Sequence, residues 1–302
     1  GDHTVVLAKH LPIGDPALAV ALQLRRERLG DLGAVRAERA HVIDDARARL
    51  RVPGRREIVR AAAAQVRCVR AAGAEVCVPG REESLPRGHL GHVIYAIGVT
   101  ADFRQRPFDT MDAHVGVAAR ILHDADFDSF LYLSSARLYR HAASTVERER
   151  ICVDPADPED FYDLTKLAGE ALCHQAGRRN VRIARLSNVI GHDFRSRNFV
   201  FDLMRAAWTE RFITLRSAVD SSKDYIMVED VVRMLPLIAT RGRYPCYNLA
   251  SGINLRHADI LAPIIQVTGA SVAIAEGVRT ETFPLLDTGR LRSEFDFVPT
   301  SV

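Results

Sequence analysis

The sequence predicts an α/β protein: a doubly wound parallel sheet, joined to a smaller, mixed α/β lobe toward the C-terminal end. Three observations carry this. From Gly91 to Gly191, short apolar runs alternate with longer segments of helical spacing. The runs His92–Ile97 (HVIYAI), Ser129–Leu133 (SFLYL) and Val181–Leu186 (VRIARL) are apolar almost throughout, as strands covered on both faces are. After Gly191 the rhythm changes, and shorter strands and helices follow one another without the strict alternation.

Each element has its own signal. His92–Ile97 is closed by Gly98, and Asp112–Leu122 has helical spacing. Ser129–Leu133 is the next strand, and Phe161–Gln175 the next helix. Val181–Leu186 runs into Ser187-Asn188 and a turn at Gly191. Beyond it, Asn198–Trp208 reads as a helix, with Phe212–Leu215 and Asp224–Val228 as strands. Val231–Ala239 is helical, Tyr244–Leu249 extended, Ser251-Gly252 a turn and His257–Thr268 helical. No internal repeat or low-complexity tract interrupts the chain.

Composition narrows the function classes. Of 302 residues, 47% are apolar and 26% charged, which suits a globular protein. A net charge of +3 is too small to argue for nucleic acid. No apolar run approaches the ~20 residues of a membrane helix, and no charged-then-apolar segment opens the sequence. Cys68, Cys77, Cys152, Cys173 and Cys246 stand far apart, and no Cys/His cluster has metal-ligand spacing. The expectation is free thiols, no metal and a cytoplasmic location.

The chemistry concentrates in two segments, Leu131–Tyr139 (LYLSSARLY) and Tyr162–Lys166 (YDLTK). The second puts a phenol and an ammonium one helical turn apart on one face. A nearby cation favours a phenolate, so Tyr162 can serve as a general acid or base although the unperturbed phenol titrates near ~10. The first segment ends a strand on Ser134 and Ser135, hydroxyls able to hold a carbinol or carbonyl oxygen. In parallel sheets ligands bind beyond the carboxyl ends of the strands, where Ser134, Ser135 and Asn188 all fall.

These segments, with VIYAIG, RLSNVIG, KDYIMVEDVV, YNLASG and LLDTGRLRSEFDFVP, resemble the extended short-chain dehydrogenase/reductases, specifically the NAD-dependent epimerase/dehydratase family acting on nucleotide sugars. The resemblance covers roughly residues 74–299. It implies a Rossmann-like dinucleotide-binding domain over 1–194, with 1–73 atypical. It also implies a substrate lobe over 195–302, of which 224–250 partly returns to the main sheet. By position it makes Ser135 the catalytic hydroxyl, Tyr162 the acid/base, and Lys166 the group that holds the nicotinamide ribose and lowers the Tyr162 pKa. Ala96 and Gly98 sit where the family's backbone passes the cofactor ribose. Ser134 and Asn188 are substrate contacts, with Arg195, Arg197 and Arg216 as candidates for a diphosphate. The expected cofactor is NAD or NADP, the expected partner a small molecule, and the expected assembly a homodimer through Asp112–Leu122 and Phe161–Gln175.

The resemblance stops short of the N-terminal region. The family opens with a strand and GxxGxxG, whose glycines let a helix N-terminus approach a pyrophosphate. Here Gly14, Gly30, Gly33 and Gly54 are not so grouped. Two registers fit. In one, Thr4–Ala8 is strand one, the turn over Lys9–Pro16 carries Gly14, and His41–Ile43 is strand two, with Asp44 and Asp45 at its end to bind a ribose hydroxyl. Glu75–Val78 is then strand three. In the other, Leu50–Val52 is strand one and Glu75–Val78 strand two, followed by Arg81, which suits a 2′-phosphate. Chain length favours the first, and the wording RAAGAEVCVPGRE favours the second.

The resulting expectation is an NAD(P)-dependent epimerase or reductase at a hydroxyl or keto carbon of a nucleotide sugar. Ala136-Arg137 stand where 4,6-dehydratases of the family carry an Asp-Glu pair, which argues against water elimination. A family member that binds without redox turnover, or a cofactor-free isomerase using the same Tyr/Ser pair, are the alternatives. Among secondary positions, His114 stands where many relatives have asparagine and reads as a satisfied helix histidine. Asp224 reads as an organising carboxylate, Asn248 as a turn-fixing amide and Tyr139 as packing.

Overall fold

A computed structural model describes residues 3–7, 75–77, 88–100, 102–191 and 198–302, the first two segments by their backbone alone. The strands β1 (His3–Leu7), β2 (Glu75–Cys77), β3 (His92–Tyr95), β4 (Ser129–Ser135), β5 (Val181–Leu186) and β9 (Cys246–Leu249) form one sheet. Its order is β2-β1-β3-β4-β5-β9, and every pairing is parallel.

The sheet order bears on the N-terminal registers. His3–Leu7 is a strand of the sheet, where the first register places strand one, and its outer neighbour is Glu75–Cys77. Leu50–Val52, strand one of the second register, lies outside the described residues. Gly14, Asp44, Arg81 and the expected strand His41–Ile43 lie outside the described residues.

Side chains of a strand alternate between faces, so a sheet covered twice must be apolar at successive positions. Ile94, Leu131 and Ala184 point to one face, packed by Val231, Leu235 and Ile238 of α5 (Val228–Arg241). Tyr95, Phe130, Tyr132 and Ile183 point to the other, against Val117, Ala118 and Ile121 of α2 (Val117–Asp124) and Cys173 of α3 (Phe161–Gln175).

The predicted helix over Asp112–Leu122 is longer and broken. It starts as α1 (Pro107–Met111), widens to a π turn at Asp112–Gly116 and resumes as α2. Pro107 suits a first helical position, where no backbone N–H is needed. The Tyr95 hydroxyl donates to Ala113 O at 2.6 Å. A side-chain hydroxyl thus stands inside the helical ladder, a recognised cause of such widening. Next to it, Tyr132 OH donates to His114 O at 2.9 Å.

The smaller lobe contains α4 (Phe199–Thr209), β7 (Phe212–Leu215), β10 (Asn254–Arg256), α6 (His257–Thr268) and β11 (Ser271–Ile274). Here β8 (Ser222–Met227) pairs with β6 (Asn188–Ile190) and β10, and β7 pairs with β11. α7 (Gly289–Phe295) packs by Leu291 into the core beneath α5. The carboxylate of Asp224 on β8 accepts from Ser251 N, Ser251 Oγ, Gly252 N and Ile253 N at 2.7 to 3.1 Å. Those donors follow β9 of the main sheet. One buried acid therefore fastens the small sheet to the large one, the organising role expected of it.

Candidate active site

The site lies at the carboxyl end of β4, where the strand gives way to a 3₁₀ turn, Ala136–Tyr139. Ser135 caps that turn: its Oγ accepts from the Arg137 N–H at 3.2 Å. With that lone pair engaged, its own O–H is left to donate, and its presence near the Tyr162 phenol lowers the pKa of that group. Tyr162 enters from the first turn of α3, which starts after a compact loop held by acids. Asp160 Oδ2 accepts from Asp154 N at 2.9 Å, and Asp157 Oδ1 from Glu159 N at 2.8 Å.

Lys166 follows one turn later. Its Nζ donates to Leu133 O at 2.9 Å, its one hydrogen bond among the described residues, and lies 5.1 Å from the Tyr132 ring centre. Burial lowers its pKa to about 7, opposed by the charge of Glu170. Burial also pushes the Tyr162 phenol up to about 12, opposed first by the Ser135 hydrogen bond and then by the charge of Arg137. The ammonium is turned to the strand carbonyl, with Nζ 6.0 Å from the phenol ring centre.

His114 closes the site from the π turn. It is fully buried, accepts from the Val99 N–H through Nε2 at 3.1 Å and pairs through Nδ1 with Thr165 Oγ1 at 2.8 Å. Thr165 donates its own hydroxyl proton to Tyr162 O, so Nδ1 must carry the imidazole proton. Burial and the charge of Lys166 push the His114 pKa down to about 2. The neutral ring stands edge-on to Tyr162, 5.3 Å between centres. It is the satisfied histidine expected, and it ties the loop after β3 to the helix carrying Tyr162 and Lys166.

The chain's residues fit a nicotinamide ribose. Lys166 has N–H bonds to spare in a buried place, and the buried Ser134 Oγ has no hydrogen-bond partner among the described residues. At Gly98 a Cβ would stand 3.0 Å from His114 Nε2 and 3.5 Å from Lys166 Nζ. The missing side chain leaves the backbone open just where those two groups converge, with Ala96 half-buried beside it. Asn188, exposed past the end of β5, donates its amide to Asp224 O at 2.8 Å. Arg216 is exposed at the end of β7. Arg195 and Arg197 lie outside the described residues.

Beneath the site lies a buried polar network. Arg185 of β5 makes a two-pronged contact with Glu170 of α3, 2.6 and 2.9 Å, and donates to Tyr139 OH at 2.7 Å. Tyr139 passes its proton to Asn248 Oδ1, whose amide holds Thr145 O and Asp287 O. Tyr139 and Asn248 are thus structural. Arg137 is the residue near the chemistry that the sequence reading did not single out; a cation two residues past the serine was the available signal.

A model of the NAD dependent epimerase/dehydratase family matches residues 61–250. The chain belongs to this family. It is accordingly an NAD- or NADP-dependent enzyme of the short-chain dehydrogenase type. Among solved structures, the family member is similar to MoeE5 bound to UDP-glucuronic acid and NAD, with a TM-score of 0.67 at 20% identity over 80% of this chain and 91% of that one. It is similar to TunA, an NAD-dependent NDP-hexosamine 5,6-dehydratase of tunicamycin biosynthesis, with a TM-score of 0.67 at 16% identity over 99% and 94%. WbmG of Bordetella bronchiseptica, bound to NAD and UDP, gives 0.64 at 14% identity over 80% and 86%. A search of curated proteins returns no match. At these identities the structural likeness bears on the fold.

Proposed function

We propose that this family member oxidises and re-reduces, or reduces, a hydroxyl or keto carbon of a nucleoside-diphosphate sugar. The observation that carries the reading is the convergence of Ser135, Tyr162 and Lys166 at the end of β4, beside the open backbone at Gly98. Tyr162 takes the proton of the substrate hydroxyl and returns it. Ser135 orients the same oxygen by hydrogen bonding. Lys166 donates to the ribose hydroxyls and fixes where the ring of the cofactor lies. A nicotinamide dinucleotide supplies hydride acceptance and return at the carbon bearing that oxygen. Ser134 and Asn188 contact the sugar, and the solvated guanidinium of Arg216 suits the diphosphate. MoeE5, bound to UDP-glucuronic acid, and WbmG, bound to UDP, support the substrate class.

The reading extends to a homodimer through the α1–α3 side. There Phe108 is 88% exposed and Met111 43%, which leaves an apolar surface for a second copy to cover.

The test is direct. Saturable quenching or enhancement of nicotinamide fluorescence with NADH or NADPH is expected, and UDP-glucose or UDP-glucuronic acid should turn over with bound cofactor. Tyr162→Phe should lower turnover by ~10²-fold or more while cofactor affinity stays within a few-fold. A folded protein that binds neither NADH nor NADPH overturns the reading.

A further inference from the structure

The loop over 216–221 joins β7 to β8, and α6 holds it at two points. Toward the end of the loop the backbone suffices: His257 N donates to Ser221 O and Ala258 N to Val219 O, each at 2.9 Å. Near its start the contact is made by side chains. His257 Nδ1 pairs with Ser217 Oγ at 2.8 Å. His257 is buried, and its ring centre lies 4.3 Å from that of Phe199, the first residue of α4. The preceding residue, Asn198, donates from Nδ2 to Val189 O of β6 at 3.2 Å, next to Asn188. His257 therefore links β6, which starts at the substrate side of the site, with the loop that opens on Arg216.

The other ring nitrogen decides where the proton sits. Nε2 is buried and has no hydrogen-bond partner among the described residues. A buried N–H without an acceptor is the rarer defect in folded proteins, so the neutral ring carries its proton on Nδ1. Nδ1 thus donates to Ser217 Oγ, and the proton of Ser217 is left for another acceptor. Ser217 is half-buried, and next to it in the chain the exposed Arg216 has no polar partner among the described residues. A hydroxyl and a guanidinium on neighbouring residues offer donors to one oxygen-rich ligand. We propose that Ser217 donates its hydroxyl to an acceptor oxygen of the nucleoside diphosphate, and that His257 is the positioning residue that turns this hydroxyl outward. The proposal rests on the sugar-nucleotide reading given above and adds two residues to it. The unsatisfied Nε2 argues for a role besides packing. An apolar ring would fill the same space against Phe199 without stranding a buried nitrogen, which costs stability.

The experiment measures UDP binding to the full chain by calorimetry. Ser217→Ala should weaken UDP by about tenfold, the effect of one lost hydrogen bond to a strong acceptor. His257→Phe keeps a ring packed on Phe199 and removes the stranded nitrogen, so its Tm should equal or exceed that of the wild type. It should nevertheless weaken UDP by about the same factor, which a purely structural role would not produce. The double variant should bind UDP no worse than Ser217→Ala, because the histidine acts through the serine. His257→Asn offers a side-chain N–H near the place of Nδ1 and should recover affinity; it decides the positioning role if His257→Phe does not fold. Pyrophosphate and uridine, used as separate probes, locate the acceptor. A loss that carries over to pyrophosphate puts it on a phosphoryl oxygen, a loss that carries over to uridine puts it on the base, and either supports the proposal. Folded single variants that bind UDP like the wild type overturn the proposal and leave the functional reading standing, and additive losses in the double variant overturn the role of His257. A wild type that binds NADH or NADPH but not UDP overturns the sugar-nucleotide reading and this proposal with it.

Discussion

His114 shows how one side chain can tie an active site together without taking part in its chemistry. Both ring nitrogens are engaged, and the folded protein holds the imidazole neutral down to about pH 2. The unfolded chain takes up a proton near pH ~6.5. Below that value the unfolded state binds more protons, so stability falls as pH falls, and above it the contribution is constant. Between pH ~6.5 and ~5 the loss amounts to about 2 kcal/mol. Urea unfolding at the two pH values should show this loss in the wild type and much less of it in His114→Gln. Equal slopes would mean that the histidine is free to protonate in place. The sequence placed His114 on a helix but could not supply its partners, because Val99 and Thr165 come from a loop and a helix that only the fold brings together.

At the scale of elements, α3 does the most for the site, and its approach to the sheet depends on Gly169. A Cβ there would stand 2.6 Å from Tyr132 Cζ and 2.8 Å from His114 O. The helix comes this close because the π turn presents its carbonyl to Tyr132 and the glycine leaves room. Gly169→Ala should therefore destabilise by about 1–3 kcal/mol despite the better helix propensity of alanine. Thermal unfolding reads the result, and a stabilised variant would refute the packing argument. The ends of α3, β5, β7 and α6 match those read from the sequence, since each has a strong period and a clear stop. The strands β6, β10 and β11 were not legible. Each is three or four residues long and has no buried residue, so it lacks the alternation of buried and exposed positions that marks β7. α7 was missed because its seven residues bury one side chain, Leu291. The π turn was invisible because a tyrosine on another strand causes it.

Across the whole molecule, the parallel sheet follows from apolar runs, whereas its strand order, including the place of β2 beside β1, comes from the structure. The first register placed a strand at His3–Leu7, and both registers placed one at Glu75–Cys77. In the site, Ser135, Tyr162 and Lys166 were legible from spacing. The contacts of Arg137 with Glu159 and Asp163 were not, because those acids lie more than twenty residues on. The apolar surface at Phe108 makes a statement about assembly: sedimentation should find a dimer for the wild type and a monomer for Phe108→Asp. A wild-type monomer at micromolar concentration rejects the homodimer.

Asp224 has a mechanical consequence. Four donors from the turn after β9 grip a single carboxylate on β8. A swing of the small lobe at this seam would have to break several charge-assisted bonds at once. The two sheets are consequently fastened as one lever, and a force on the lobe passes into β9 and its neighbour β5 rather than into a joint.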